Sequence, residues 1–257
     1  MTHPLDPADS QTYALRRVRH EPRRRTLRVE AVERLSPGML RLVFRSPDLA
    51  DFPSQSPDDH VKVMLPTADG GMIMRDYTPR AFDREAGRLV IDFAIHDAGP
   101  VTAWALAAKV GDQLIVGGPR GSAILPDNLD WLCLIGDETA LPAIGRTIEE
   151  ARPGARIVSL VIVESQADIQ TFETKAEWSP HWIARDQTQL SDEAALIERL
   201  EAILPKFDRG FVWLAAEAQV ARALRAHLAG PVGLPLNQIK ASGYWVKGAE
   251  GAHERLD

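Results

Sequence analysis

The chain has 257 residues, 30 Lys and Arg against 36 Asp and Glu for a net charge of -6, and a single cysteine. Those figures leave room for two modest domains and exclude both a disulfide framework and a cysteine-ligated zinc or iron–sulfur centre; they also argue against general nucleic-acid binding. The N-terminus "MTHPLDPADSQ" lacks a basic-then-apolar signal layout, and no apolar run approaches the ~20 residues needed to cross a bilayer. A cytoplasmic protein without membrane insertion is therefore expected.

The first local feature is the basic run "RRVRHEPRRR", Arg16 to Arg25, read as a solvated edge. Short β-type runs follow: "LRVEAV", "LRLVF", "HVKVMLP", "MIMRDYTPRAF", "RLVIDFAIH" and "DQLIVGGP". In "RLVIDFAIH", alternation sets Leu89, Ile91, Phe93 and Ile95 on one face and Val90, Asp92, Ala94 and His96 on the other. Six such strands suit a small closed antiparallel barrel. A helix is expected at "PVTAWALAAKVGD", with Pro100 in its first turn and Gly111 just past its end.

From Leu129 the pattern changes to alternating strands and helices. "WLCLIG" leads into "ETALPAIGRTIEEA", "RIVSLVIV" follows, "SDEAALIERLEAIL" reads as a capped amphipathic helix, "FVWLAAE" feeds "AQVARALRAHLA", and "IKASGYW" is a last short strand. Apolar strands alternating with helices indicate a parallel sheet covered on both faces. The expected architecture is a β-barrel over residues 1–126 followed by an α/β nucleotide-binding-like domain over residues 127–257.

"MIMRDYTPRAF" crowds Arg75, Tyr77, Thr78 and Arg80 into one short stretch. A flavin dinucleotide needs a pyrophosphate clamp, a surface under its ring and hydrogen bonds at its polar edge; Arg75, Tyr77 and Thr78 are of the right types in that order. Asp92 and His96 share a strand face that delivers Gly99 and Pro100 to a helix start, whose free amides suit phosphate. "GGPRGS", Gly117 to Ser122, is either a glycine-rich ligand bend or an ordinary strand-ending turn. Arg80, beyond the proline, either caps the strand or reaches an adenosine.

Taken together, "LSPGMLRLVF", "PDDHVKVMLP", "RDYTPR", "IDFAIHDAGPVTAWA", "GDQLIVGGPRGS", "GDETALPAIGR", "WLAAEAQVARALR" and "SGYW" resemble the siderophore-interacting protein family, flavin-containing ferric-siderophore reductases of ferredoxin-reductase-like architecture. The resemblance implies a non-covalent FAD held by Arg75, Tyr77, Thr78, Asp92, Phe93, His96, Pro100 and the bend at Gly118, Gly121 and Ser122, with Asp137 and Thr139 near the adenosine. It implies a basic triad for the anionic ferric siderophore, Lys62, Arg120 and Lys240, with Lys247 as a weaker fourth member. Arg120 has the alternative of serving the flavin phosphate.

The implied activity is reduction of siderophore-bound Fe(III) to Fe(II), with electrons from NADH, NADPH or a ferredoxin-like protein. It needs no catalytic side chain and no protein metal ligand. The nicotinamide nucleotide is expected beyond the strand ends near Glu138, Glu164 and Glu217. Glu164 suits a ribose diol and leans toward NADH, and Glu217 has the alternative of a first-turn acid on the following helix. Two other readings remain: a general NAD(P)H:flavin or electron-transfer reductase, and a non-catalytic siderophore carrier.

Overall fold

The computed structural model describes residues 13–95, 99–127, 129–205, 209–249 and 251–256. Its first sheet is antiparallel and seven-stranded, ordered β5 (Met72–Tyr77), β4 (Val61–Pro66), β8 (Gln113–Gly117), β2 (Arg24–Ser36), β3 (Met39–Arg45), β7 (Arg88–Ala94) and β6 (Pro79–Asp83). Alternation builds its core: Leu27 and Val29 of β2, Leu42 and Phe44 of β3, Val61 and Val63 of β4, and Leu89, Ile91 and Phe93 of β7 point inward and are buried.

The two edge strands β5 and β6 are consecutive in the chain, with only Thr78 between them. Laid flat, seven strands would separate those edges by about 29 Å, far beyond the reach of one residue. The sheet must therefore curl until its edges meet at Thr78. The expected six-stranded barrel is a curled half-barrel of seven strands whose edges are joined through the chain, with no ladder between them among the described residues, and "MIMRDYTPRAF" supplies two strands where one was expected. Pro79 begins β6, an edge position that does not require its missing N–H.

The basic run also needs correction. Arg16–Arg19 forms β1, which pairs with β9 (Gly121–Ile124) in a separate two-stranded ribbon. Arg25 is buried, donating to Asp48 O at 2.8 Å, Gly118 O at 3.0 Å and Asp51 Oδ1 at 2.9 Å. Its neighbours Arg16, Arg19 and Arg24 are exposed. The helix α1 (Pro100–Ala107) stops earlier than expected: Ala108 is extended, Asp112 accepts from Lys109 N at 2.8 Å, and Gly111 turns the chain at φ +98°.

The second sheet is ordered β12 (Glu177–Ala184), β11 (Arg156–Val163), β10 (Trp131–Gly136), β13 (Gly210–Glu217), β14 (Ile239–Trp245) and β15 (Glu254–Arg255). All neighbours are parallel except β15 on β14. The helices are α2 (Leu141–Glu149), α3 (Asp192–Ile203) and α4 (Ala218–Ala229). Ser191 caps α3 by accepting from Ala194 N, as its position predicts. The sequence reading missed β12 because Pro180 interrupts it and few of its side chains are buried; both are tolerated at an edge.

Buried polar contacts join the sheets. Arg80 of β6 forms a bidentate pair with Glu149 of α2 at 2.6 and 2.7 Å, so its role is to tie barrel to helix rather than to meet an adenosine. Arg146 of α2 donates to Ser54 Oγ at 2.8 Å and Pro79 O at 3.1 Å. Asp168 accepts from Ser36 Oγ at 2.7 Å and Gly38 N at 2.6 Å.

Candidate functional site

The junction of β5, Thr78 and α1 gathers the first candidates. Arg75 is half-buried and oriented by donation from Nη1 to Met74 O at 3.0 Å. Tyr77 packs on Phe93 with ring centroids 4.5 Å apart and shares a hydrogen bond with Thr102 of α1; burial pushes its phenol up to about 12. Thr78 is buried at the strand crossover. Helix α1 starts at Gly99 without a side-chain cap, and open space lies where a Gly99 side chain would project. A guanidinium, an aromatic ring, a hydroxyl and a helix start thus meet on one edge, a donor set that fits a dinucleotide bearing a diphosphate and a flat ring. His96 lies outside the described residues.

Other residues expected at the flavin have partners within the protein. Asp92 is buried and takes a bidentate pair from Arg41 at 2.7 and 2.8 Å, which leaves its carboxylate structural. Phe93 is fully buried beneath Tyr77, supporting that ring from the barrel core. Ser122 donates to Asp59 Oδ2 at 2.6 Å and lies 2.8 Å from His20 Nε2, pinning the β1–β9 ribbon. Gly118 turns the chain at φ +96°, and a side-chain carbon at Gly121 would lie 2.5 Å from Val18 O. For these glycines the strand-ending turn explains the residue type.

The expected basic triad divides into paired and free members. Lys62 of β4 binds Asp76 of β5 at 2.6 Å. Lys240 of β14 is buried and pairs with Asp58, which also accepts from Trp213 Nε1 at 3.0 Å and whose other oxygen accepts from Ser56 Oγ at 2.7 Å. Burial alone would raise the pKa of Asp58, but the charge and hydrogen bond of Lys240, with the bonds from Ser56 and Trp213, hold it below its ordinary value. Arg120 is exposed and makes no ion pair among the described residues.

Register places nearby two more cations that make no ion pair among the described residues. Arg19 of β1 pairs with Gly121, and Arg24 of β2 pairs with Gly117, which on its other side faces Lys62. The sequence reading missed these two, along with the counterions Asp58 and Asp76. Asp58 and Asp76 sit inside the quoted motifs "PDDHVK" and "RDYT", where an acid close to a lysine was the available signal. Lys247 is exposed.

At the C-terminal ends of the parallel strands the acids are largely committed. Asp137, buried, accepts from Thr139 N at 2.9 Å, Thr139 Oγ1 at 2.5 Å, Glu217 N at 2.9 Å and Trp245 Nε1 at 2.8 Å. Asp137 and Thr139 therefore organise the loop after β10 before they can serve any adenosine. Glu217 is the N-cap of α4, accepting from Gln219 N at 2.6 Å and Val220 N at 3.2 Å, one position before the first turn in which an acid was the alternative. Glu138 is pushed up by burial and pulled back by its pair with Arg185. Glu164 is exposed, 3.7 Å from the same Arg185, which also binds Asp192 at 2.8 Å. A cation thus stands beside Glu164, which weakens its use as a signal for NADH. A separate cleft of about 340 Å³, lined by Trp131, Arg156, Trp178 and Pro205 among others, lies at the opposite ends of these strands.

Comparison with known proteins identifies the family. Residues 28–72 and 67–123 match the family model for the siderophore-interacting FAD-binding domain, and residues 129–248 match that for siderophore-interacting protein. An NADPH-dependent ferric-chelate reductase from Escherichia coli is 31% identical over 250 residues, covering 89% of this chain and 95% of the relative. The chain belongs to the siderophore-interacting protein family.

Within and around that family, the ferric vibriobactin reductase ViuB of Vibrio cholerae is 28% identical over 243 residues, covering 86% of this chain and 89% of its own. The crystal structure of a siderophore utilization protein from T. fusca superposes with a TM-score of 0.82 at 31% identity, covering 94% of this chain and 99% of that one. A ferredoxin reductase of carbazole 1,9a-dioxygenase, 18% identical with a TM-score of 0.64 over 85% of this chain and 68% of that one, shares the fold. The ferredoxin-reductase-like architecture read from the sequence is thereby established for this siderophore-interacting protein.

Proposed function

We infer that this chain is an FAD-dependent ferric-siderophore reductase that reduces siderophore-bound Fe(III) to Fe(II) at the expense of NADPH. The observation that carries the reading is the β5–Thr78–α1 edge, in a chain similar over nearly its full length to a ferric-chelate reductase. Bound FAD supplies the change from two-electron to one-electron chemistry, which no side chain provides. Arg75 would hold its diphosphate with help from the first-turn amides of α1, Tyr77 would carry the ring on a surface backed by Phe93, and Thr78 would hydrogen-bond the ring edge.

The substrate is an anionic ferric siderophore. Lys62 and Lys240 carry built-in counterions, so the attraction comes first from Arg120 with Arg19 and Arg24, which make no ion pair among the described residues; Lys62 and Lys240 contribute once Asp76 and Asp58 are displaced or shared. The donor nucleotide occupies the crevice beyond β10, β11 and β13, where Arg185 is the cation available to it among Glu138, Glu164 and Asp192. A ferredoxin-like protein is the second donor class, to be compared with NADPH and NADH in the same assay.

No helix among the described residues is long and apolar enough to cross a membrane. The single free cysteine, Cys133, is buried and suits a cytoplasmic setting, which cell fractionation tests. For the activity, FAD-loaded protein is reduced anaerobically and mixed with several ferric siderophores, while flavin reoxidation and capture of ferrous iron by a chelator are followed together. Matched reoxidation and capture are expected. Reduced flavin that persists with every iron complex overturns the reading.

A further inference from the structure

The C-terminal segment after β14 reaches back from the second sheet to the first. It is anchored by β15, where Glu254 pairs in register with Gly243, and by an ion pair between Glu254 and Arg222 of α4. Before β15, Gly251 turns the chain at φ +68°, and a side-chain carbon there would lie 2.8 Å from Nη1, 2.9 Å from Cζ and 3.1 Å from Nε of Arg75. The guanidinium of Arg75 therefore rests against the bare face of Gly251. Two residues later, His253 Nδ1 lies 3.7 Å from Asp76 Oδ2, the oxygen that also receives Lys62.

We propose that residues Gly251–Leu256 are part of the flavin site, with Gly251 as a positioning residue that backs Arg75 and holds its guanidinium ready for the FAD diphosphate. The physical reason is preorganisation. A long arginine side chain loses rotamer freedom when it clamps an anion, and a flat surface behind it imposes much of that loss before the ligand arrives. The left-handed backbone favours glycine, and a side chain there would displace the flexible end of Arg75 from its present position. The inference rests on the FAD reading above.

The test uses a matched pair of substitutions in the full chain. Gly251→Ala and Gly248→Ala both force an L residue into a left-handed backbone, at φ +68° and φ +80°, but open space surrounds Gly248. FAD affinity is read by quenching of flavin fluorescence, and thermal stability is measured without FAD. Gly251→Ala is expected to weaken FAD binding about tenfold relative to Gly248→Ala, with similar melting temperatures for the two. In an Arg75→Ala background the Gly251→Ala change is expected to add nothing. A chain truncated before Gly251 provides a second route and is expected to lose FAD affinity similarly. Equal FAD affinity in the Gly251 and Gly248 variants overturns the proposal, as does tighter binding in either the Gly251 variant or the truncated chain, which would make the segment a competitor of FAD. If wild-type protein takes up FAD while the variants match, only this inference falls; if wild-type protein takes up none, the reductase reading falls with it.

Discussion

Along the β5 edge, Arg75 is half-exposed against the face of Gly251, and the exposed Arg120 makes no ion pair among the described residues, whereas beyond β10 and β13 the carboxylates of Asp137 and Glu217 are consumed by the protein's own donors. Both regions carry residues that the motifs single out, yet they use charge differently. On the barrel side the cations are positioned along one edge, which suits an anionic ligand. On the α/β side the acids satisfy backbone amides at a loop and a helix start, where orphan N–H groups would otherwise be buried. A motif residue at a strand end can therefore be indispensable to a nucleotide site by shaping its backbone, without touching a nucleotide.

The paired and free cations offer the sharpest test of that contrast. Lys240→Ala leaves Asp58 buried without its cation and is expected to destabilise the protein by about 3–5 kcal/mol, measured by chemical denaturation. Lys62→Ala breaks a partly exposed pair and is expected to cost less than about 1 kcal/mol. The Asp58 pair also has a pH signature. Its folded pKa is depressed, so its stabilisation is present above the unfolded value and is lost as pH falls through the folded one. Denaturation across the acid range should show stability falling below about pH 4, with a smaller slope in Asp58→Asn.

A smaller effect separates capping from nucleotide binding. Glu217→Ala should cost about 1 kcal/mol through loss of the α4 N-cap, with the ratio of NADPH to NADH turnover unchanged. A changed ratio would give Glu217 a direct role at the nucleotide. The smallest stability effect belongs to Arg120→Ala, expected within about 0.5 kcal/mol of wild type because the residue is exposed and makes no ion pair among the described residues. Its signature lies in binding: affinity for an anionic ferric siderophore should fall severalfold at low salt, and the difference should shrink at high salt. An unchanged affinity at low salt would remove Arg120 from the substrate site.

Much of the fold was legible because its signals are local. Strict alternation in β7, the serine before α3 and the apolar runs of β10 and β13 each report a backbone state within a few residues. The missed elements had weak local signals: β1 is arginine-rich and exposed, β12 contains Pro180, and β15 is two residues long. The site was legible in its residue types and less so in their roles. Tyr77 and Arg75 stand together as expected, but Asp92, Ser122 and Asp137 are bound to structural partners that sequence spacing does not disclose.

The sequence by itself determined a curled antiparallel sheet followed by a parallel α/β sheet and the family to which the chain belongs. Only the tertiary structure decided that β5 and β6 meet at Thr78, that Arg80 ties the two sheets together, and which lysines carry counterions. The reason is distance along the chain. Strand periodicity is written in neighbouring residues, whereas the charge that Lys240 presents depends on Asp58, 182 positions away, and the pose of Arg75 depends on a glycine near the other end of the chain.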